Sequence, residues 1–273
     1  EYYIRYCVPG EEDLEGLRDA IKPFFIRRLK SEVMADLPLL TWAPISMEID
    51  NRAEYEELRD EFEGWLEKNR PFLTLYAGGG EGNNTINNNY LGYISKLRLT
   101  AARGKIKPAI EWIENFLSSG EKLVVFAHHQ EPQRAIWSKF QPTSAKIFGG
   151  DSAGMRDSNI QYFREDDDCR IIVCSLKGAQ AGIDGLQDVS SNCLLVESDW
   201  TPSGNDQAAG RINRSGQTLP CTAWMFVARN TIDEKLVRIV DRKRIMADTI
   251  TGDAEKAVQR ELLAEMLKEG ISK

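Results

Sequence analysis

Leu123-Val-Val-Phe-Ala127 is an unbroken apolar run, and further strand-like segments follow at Ser144 to Phe148, Arg170-Ile-Ile-Val-Cys174, Cys193-Leu-Leu-Val-Glu197 and Ala223 to Val227. A strand buried on both faces reads as continuous apolar residues rather than as an alternation. Helix-compatible segments fill the intervals: Pro132 to Phe140, a stretch that follows Gly149-Gly-Asp-Ser152 and ends near Phe163, and one carrying Gln207 to Gln217. Strand, helix, strand at this period requires right-handed crossovers, and therefore a parallel sheet with helices on both faces. The predicted fold is α/β, an open parallel sheet over residues 121–230. The working loops of such a sheet leave the carboxyl ends of its strands, here Ala127-His-His-Gln130, Gly149 to Gly154, Ser175 to Leu186 and Ser198 to Asp206.

Outside the repeat the character changes. Glu11 to Ala20 is helix-compatible, and Pro23 can open a second helix that carries Arg27, Arg28 and Lys30 beside Phe25, Leu29 and Val33 and stops near Pro38. Trp42 to Ile49 alternates loosely as a strand does. Asn51 is placed to cap a long charged helix running to about Asn69, with Pro71 as its breaker. Ala77 to Asn89 is rich in Gly and Asn and reads as a surface loop; no Gly-Lys-Ser/Thr follows its glycines, so it is not a phosphate loop. Helices are expected again over Tyr90 to Ala102 and Ile106 to Leu117, and Thr231 to Asp248 is expected to form a bracing helix. The organisation predicted is a helical protrusion and lead-in over 1–120, the sheet domain over 121–230, and C-terminal bracing helices over 231–273.

The 273 residues, 42% hydrophobic, can bury a sizeable core, and the net charge of −7 gives no global attraction to nucleic acid. Any such contact needs a local basic surface. The five cysteines have neither metal-ligand spacing nor a disulfide framework and read as reduced core thiols of an intracellular protein. No apolar run is long enough to span a bilayer, so no membrane partner is expected. The first residues are neither a signal peptide nor an initiator sequence, as expected of an excised fragment.

The strand-end loops hold the chemistry. Ser175, Lys177 and Gly178 combine a hydroxyl, a cation and close backbone approach, which suits a nucleic-acid phosphate. Trp200 puts a large indole on a polar loop, either as a lid over the core or as a surface for a base or sugar. His128 and His129 are the only histidines and lack a third ligand, so no metal site is expected. In Gln207-Ala-Ala-Gly-Arg-Ile-Asn-Arg-Ser-Gly-Gln217, Arg211 and Arg214 stand three residues apart on what reads as one helix face, with a turn at Gly216. Two forked cations aimed outward suit a phosphate.

The ordered series Arg-Arg-Leu-Lys…Leu-Pro, Leu-Val-Val-Phe-Ala-His-His, Gly-Gly-Asp-Ser…Arg, Ser-Leu-Lys-Gly-Ala…Ala-Gly, Trp-Thr-Pro and Gln-Ala-Ala-Gly-Arg-Ile-Asn-Arg-Ser-Gly-Gln resembles the second, RecA-like motor lobe of Swi/Snf-type superfamily 2 ATPases. It is most similar to the annealing-helicase-like branch and its prokaryotic relatives. The resemblance runs from about Tyr6 to Asp248. It implies that Arg211 and Arg214 are arginine fingers for ATP bound on another lobe, with Gln207, Gly182 and Asp184 at the nucleotide. By the same resemblance Ser175, Lys177, Gly178, Trp200, His128 and Gly150 face DNA, duplex or branched. ATP and Mg2+ are the implied cofactors, held mainly by the first lobe, which is itself an implied partner. The implied location is cytoplasm or nucleoid in a prokaryote or phage, and the nucleus in a eukaryote. The chain departs from the family in reading Ala-Gln-Ala-Gly-Ile-Asp-Gly-Leu at motif V, in Asn213 where many members carry His, and in Thr201 for the usual Asn.

Neither a phosphate loop nor an Asp-Glu-x-His box occurs in the sequence, so this chain alone is expected not to turn over ATP. The expected function is the C-terminal lobe of a DNA-dependent translocase. A stand-alone RecA-like module binding nucleic acid or protein without an ATP cycle is the alternative. A Rossmann-type enzyme is disfavoured because no Gly-x-Gly-x-x-Gly follows the first strand.

Overall fold

The structure, a computed structural model, describes residues 36–77, 84–178 and 182–247, together with Pro23 and Met34. The expected helices over 11–20 and 24–34, with their basic residues, lie outside the described residues, as does everything beyond 247. Within them run β1 (Leu40–Met47), α1 (Arg52–Ala77), α2 (Asn84–Gly104), α3 (Ile106–Leu117), β2 (Leu123–Ala127), α4 (Gln130–Lys139), β3 (Ser144–Ile147), α5 (Ala153–Glu165), β4 (Ile171–Ser175), β5 (Asn192–Leu195), α6 (Pro202–Ala209), β6 (Cys221–Ala228) and α7 (Ile232–Ala247).

All six strands join one parallel sheet in the order β1-β6-β5-β2-β4-β3. The apolar pentapeptides lie at its centre because both their faces are covered. Val124, Phe126, Ile172 and Cys174 point to one side, against Phe163 of α5 and Ala208 and Ala209 of α6. Leu123, Val125, Ala127, Ile171 and Val173 point to the other, against Ala109 and Ile113 of α3 and Ile136 of α4. Successive strand residues alternate faces, so each pentapeptide feeds two cores. Burial of such side chains stabilises by about 1.5–3 kcal/mol each.

Five strands were expected within 121–230, and the sheet draws its sixth from residues 40–47. β1 lies outermost, paired to β6 from Leu40↔Cys221 to Met47↔Ala228. Its half-buried alternation and the exposed Pro44 suit an edge, where a missing amide donor leaves no ladder bond unmade.

A third cluster is wholly helical in its main parts. Tyr55, Phe62, Leu66 and Leu73 of α1 pack with Tyr90, Ile94, Leu97 and Ala101 of α2 and Ile232, Leu236, Ile239 and Val240 of α7. The Ile232 amide donates to the Tyr55 hydroxyl at 2.7 Å, tying the start of α7 to the start of α1. Two helix boundaries differ from expectation. Pro71 does not break α1, which continues through it to Ala77. Buried Leu66 and Leu73 on either side anchor both halves to the same cluster, outweighing the roughly 3 kcal/mol that an interior proline costs. The Asn-rich segment from Asn84 belongs to α2 rather than to a loop, because the spacing of Tyr90, Ile94, Leu97 and Ala101 extends a packed face behind it.

Candidate functional site

The carboxyl ends of β2, β4 and β5 are sewn together by the backbone. The Leu176 amide donates to the Ala127 carbonyl and the Val196 amide to the Phe126 carbonyl, both at 2.9 Å. This brings the loops holding His128, Ser175 to Gly178 and Trp200 to neighbouring positions on one edge of the sheet. Ser175 is buried at the end of β4, while Lys177 is exposed just beyond it and Gly178 is half-buried. Gly150, exposed in the turn after β3 with φ +94°, follows the carboxyl end of the outermost strand on the same side.

His128 and His129 are held from behind by a carboxylate. Glu197, 3% exposed, follows β5; its Oε2 accepts from the His128 and His129 amides at 2.9 and 3.0 Å, and its Oε1 lies 2.5 Å from His129 Nδ1. Burial pushes this carboxyl up. The hydrogen bonds and charge from His129 and the charge of Lys105 outweigh it and bring the group down to about 2. Burial and the charge of Arg98 push His128 down to about 4, so its ring is neutral at neutral pH. Gln133 of α4 donates from Nε2 to the Ala127 and His128 carbonyls, completing the brace. No residue of this brace except His128 was singled out in the sequence as a site residue. A lone acid closing the apolar run Leu-Leu-Val-Glu197 was the signal available.

Trp200 packs as a half-buried lid against the helical cluster. The guanidinium carbon of Arg98, on α2, lies 4.3 Å from its ring centroid, and Arg98 Nη2 donates to the Ser198 carbonyl at 2.7 Å. Such a stack is worth about 2 kcal/mol when desolvated. Thr201 caps α6, accepting from the Gly204 amide at 3.1 Å, and it is itself held by Asp199 Oδ1. A Cβ at Gly204 would lie 2.4 Å from Asp199 Cγ, so the cap requires glycine there.

The two arginines do not share a helix. α6 ends at Ala209, and Arg211 and Arg214 occupy the turns that follow. Gln207 remains on α6, exposed. The turns are fixed by buried Gln217, whose Nε2 lies within donor reach of the Gln187, Ser190 and Ile212 carbonyls while its Oε1 accepts from the Thr218 and Leu219 amides. Gly216 turns the chain with φ +98°, as the sequence predicted. The arginines nevertheless converge on one place. Arg211 Nη1 donates to the Ile183 carbonyl at 2.8 Å, and Arg214 Nε lies 3.5 Å from Asp184 Oδ1. Asp184 is itself held by the Gly185 amide and Gln187 Nε2, both 3.0 Å from Oδ1, and these bonds keep its carboxyl low. Burial, then the nearby Arg214, lower the Arg211 guanidinium from its usual range. Gly182 lies exposed just before Ile183, so Gly182, Asp184, Arg211 and Arg214 share one corner of the molecule.

No protein-family model matches the chain. The human DNA annealing helicase and endonuclease ZRANB3 is 26% identical over 252 residues, covering 90% of this chain and 22% of that protein. The C-terminal part of the Fun30 ATPase domain superposes with a TM-score of 0.59 at 16% identity, over 85% of this chain and 99% of that one. The Sulfolobus solfataricus SWI2/SNF2 ATPase core in complex with dsDNA superposes with a TM-score of 0.61 at 22% identity, over 99% of this chain and 59% of that one. The chain has the RecA-like α/β fold of SWI2/SNF2 ATPase C-terminal domains and is similar in sequence to Swi/Snf-type helicases. The lobe spans about a fifth of the curated relative that it matches. Among the described residues, no helix is long and apolar enough to cross a membrane, and no cluster of His, Cys, Asp and Glu is arranged to hold a metal ion.

Proposed function

We propose that this lobe completes the ATP site of a DNA-dependent translocase whose phosphate loop and magnesium-binding acids reside on a partner RecA-like lobe. The observation that carries the reading is the convergence of Arg211 and Arg214 on the loop after β4. One guanidinium is tethered to a backbone carbonyl. The other is 44% exposed and leans on a single exposed carboxylate. Two guanidinium groups brought to one loop suit the triphosphate of ATP. When bound, ATP with Mg2+ supplies the phosphoanhydride to be cleaved. Arg211 and Arg214 stabilise the charge that builds on the transferring phosphoryl group, and Gly182 and Gln207 lie beside the nucleotide.

The DNA backbone is gripped at the strand-end loops, where Lys177 and the amides around Gly178 meet phosphates and His128 and Trp200 flank them. Gly150 extends the contact toward the sheet edge. Support comes from the DNA-bound Sulfolobus solfataricus core of the same fold. In the intact protein, Arg214→Ala is expected to lower DNA-stimulated ATP hydrolysis by about 10³-fold while sparing nucleotide binding far more. Unchanged turnover in that variant overturns the reading.

A further inference from the structure

Glu197 is an unusual group to bury. An ionised carboxylate taken out of water costs several kcal/mol unless its lone pairs are filled, and an apolar residue of similar size is commonly no less stable in such a place. Here both oxygens are occupied, and their partners share one feature: all of them belong to the loop between β2 and α4. Glu197 itself lies in the loop between β5 and α6, which carries Trp200. One side chain therefore fixes the distance between two loops that the sheet ladder alone would leave joined only at their roots.

The connection continues on the far side. Ser198, the next residue, accepts from Arg98 at 2.7 Å, and Arg98 covers the Trp200 ring. Arg98 and Ser198 are both buried. His128, Glu197, Arg98 and Trp200 thus form a continuous set reaching from the end of β2, across the end of β5, to α2 of the helical protrusion.

We propose that Glu197 is a positioning residue for the nucleic-acid grip, holding the His128–His129 loop at a set spacing from the Trp200 loop so that both engage one backbone. This rests on the nucleic-acid reading above. The carboxylate touches neither DNA nor nucleotide; it acts through the two loops. Loss of the link leaves each loop in place at its strand end but frees their relative position, so DNA binding weakens while the ATP-hydrolysing step keeps its geometry at Arg211 and Arg214.

The experiment is a DNA titration of ATP hydrolysis by the intact protein, wild type against Glu197→Ala, Glu197→Gln and His129→Ala. Glu197→Ala is expected to raise half-saturating DNA about tenfold while kcat at saturating DNA stays within about twofold. Glu197→Gln keeps an acceptor for the two amides and is expected to recover most of that loss. His129→Ala, which spares the amide bonds, should fall between them. A merely structural carboxylate would reduce the active fraction, lowering kcat at unchanged half-saturation, and that result overturns the proposal, as does unchanged half-saturation in all three variants. If instead wild-type hydrolysis does not respond to DNA, the function reading fails and takes this role with it.

Discussion

Arg214 Nε and Asp184 Oδ1 face each other at 3.5 Å, an exposed pair in which the carboxylate's side chain is 62% accessible. Asp184 is pinned by Gly185 and Gln187. Exposed pairs of this kind are worth at most about 1 kcal/mol, which a triphosphate easily exceeds. On the proposed reading, the carboxylate serves as a counter-ion until the nucleotide arrives and competes weakly with it. Asp184→Asn in the intact protein is expected to lower the KM for ATP by up to about fivefold. Steady-state hydrolysis at varied ATP checks this; a raised KM would mean that Asp184 aims Arg214 rather than restrains it.

The buried pair behind the histidines predicts how stability depends on pH. Folded His128 titrates near 4 and an unfolded histidine near 6.5. Between these values the unfolded chain binds the extra proton, so stability is lost as pH falls from about 6.5 to 4. Glu197 repeats the sign lower down: its folded value near 2 against an ordinary 4.5 means further loss as pH falls from about 4.5 to 2. Denaturant midpoints measured from pH 7 to 4 should drop for the wild type. His128→Gln should flatten the upper part of that drop, by at most about 2 kcal/mol given the partly exposed ring. An identical slope in the variant would assign the upper window to another group.

The centre of the sheet was legible in the sequence because burial on both faces leaves a one-dimensional trace, five apolar residues in a row. The edge was less so. Trp42 to Ile49 carried the alternation of a strand, but its partner β6 lies some 180 residues on, and nothing local encodes Leu40↔Cys221. Local rules misjudged Pro71 and Asn84 for the same reason: packing of Leu73 and Tyr90 into the helical cluster outweighs propensity.

At the site, residue types were readable and their geometry was not. The spacing of Arg211 and Arg214 suited a helix face, yet helix α6 stops at Ala209 before Gly210, and it is Gln217 that holds the following turns. A carboxamide bridging three carbonyls is invisible in sequence, since those carbonyls belong to residues 187, 190 and 212. Glu197 was passed over because its partners are backbone amides about 70 positions earlier.

The helical cluster and the sheet meet at one more buried charge pair, Lys105 and Asp233. Lys105 is 1% exposed, stands alone between α2 and α3, and its Nζ lies 2.6 Å from Asp233 Oδ2 in the first turn of α7. That same oxygen faces the Ala228 amide at 3.3 Å, where β6 ends. The pair thus fixes the corner at which the last strand passes into the bracing helix. Removing one partner leaves the other charge buried, which costs about 3–5 kcal/mol. Lys105→Met is therefore expected to lower the unfolding free energy by that amount in urea titrations. Lys105→Met with Asp233→Asn removes the stranded charge while keeping an acceptor for Ala228, and it should restore more than half of the loss. A cost below about 1 kcal/mol for Lys105→Met would mean that water reaches the corner.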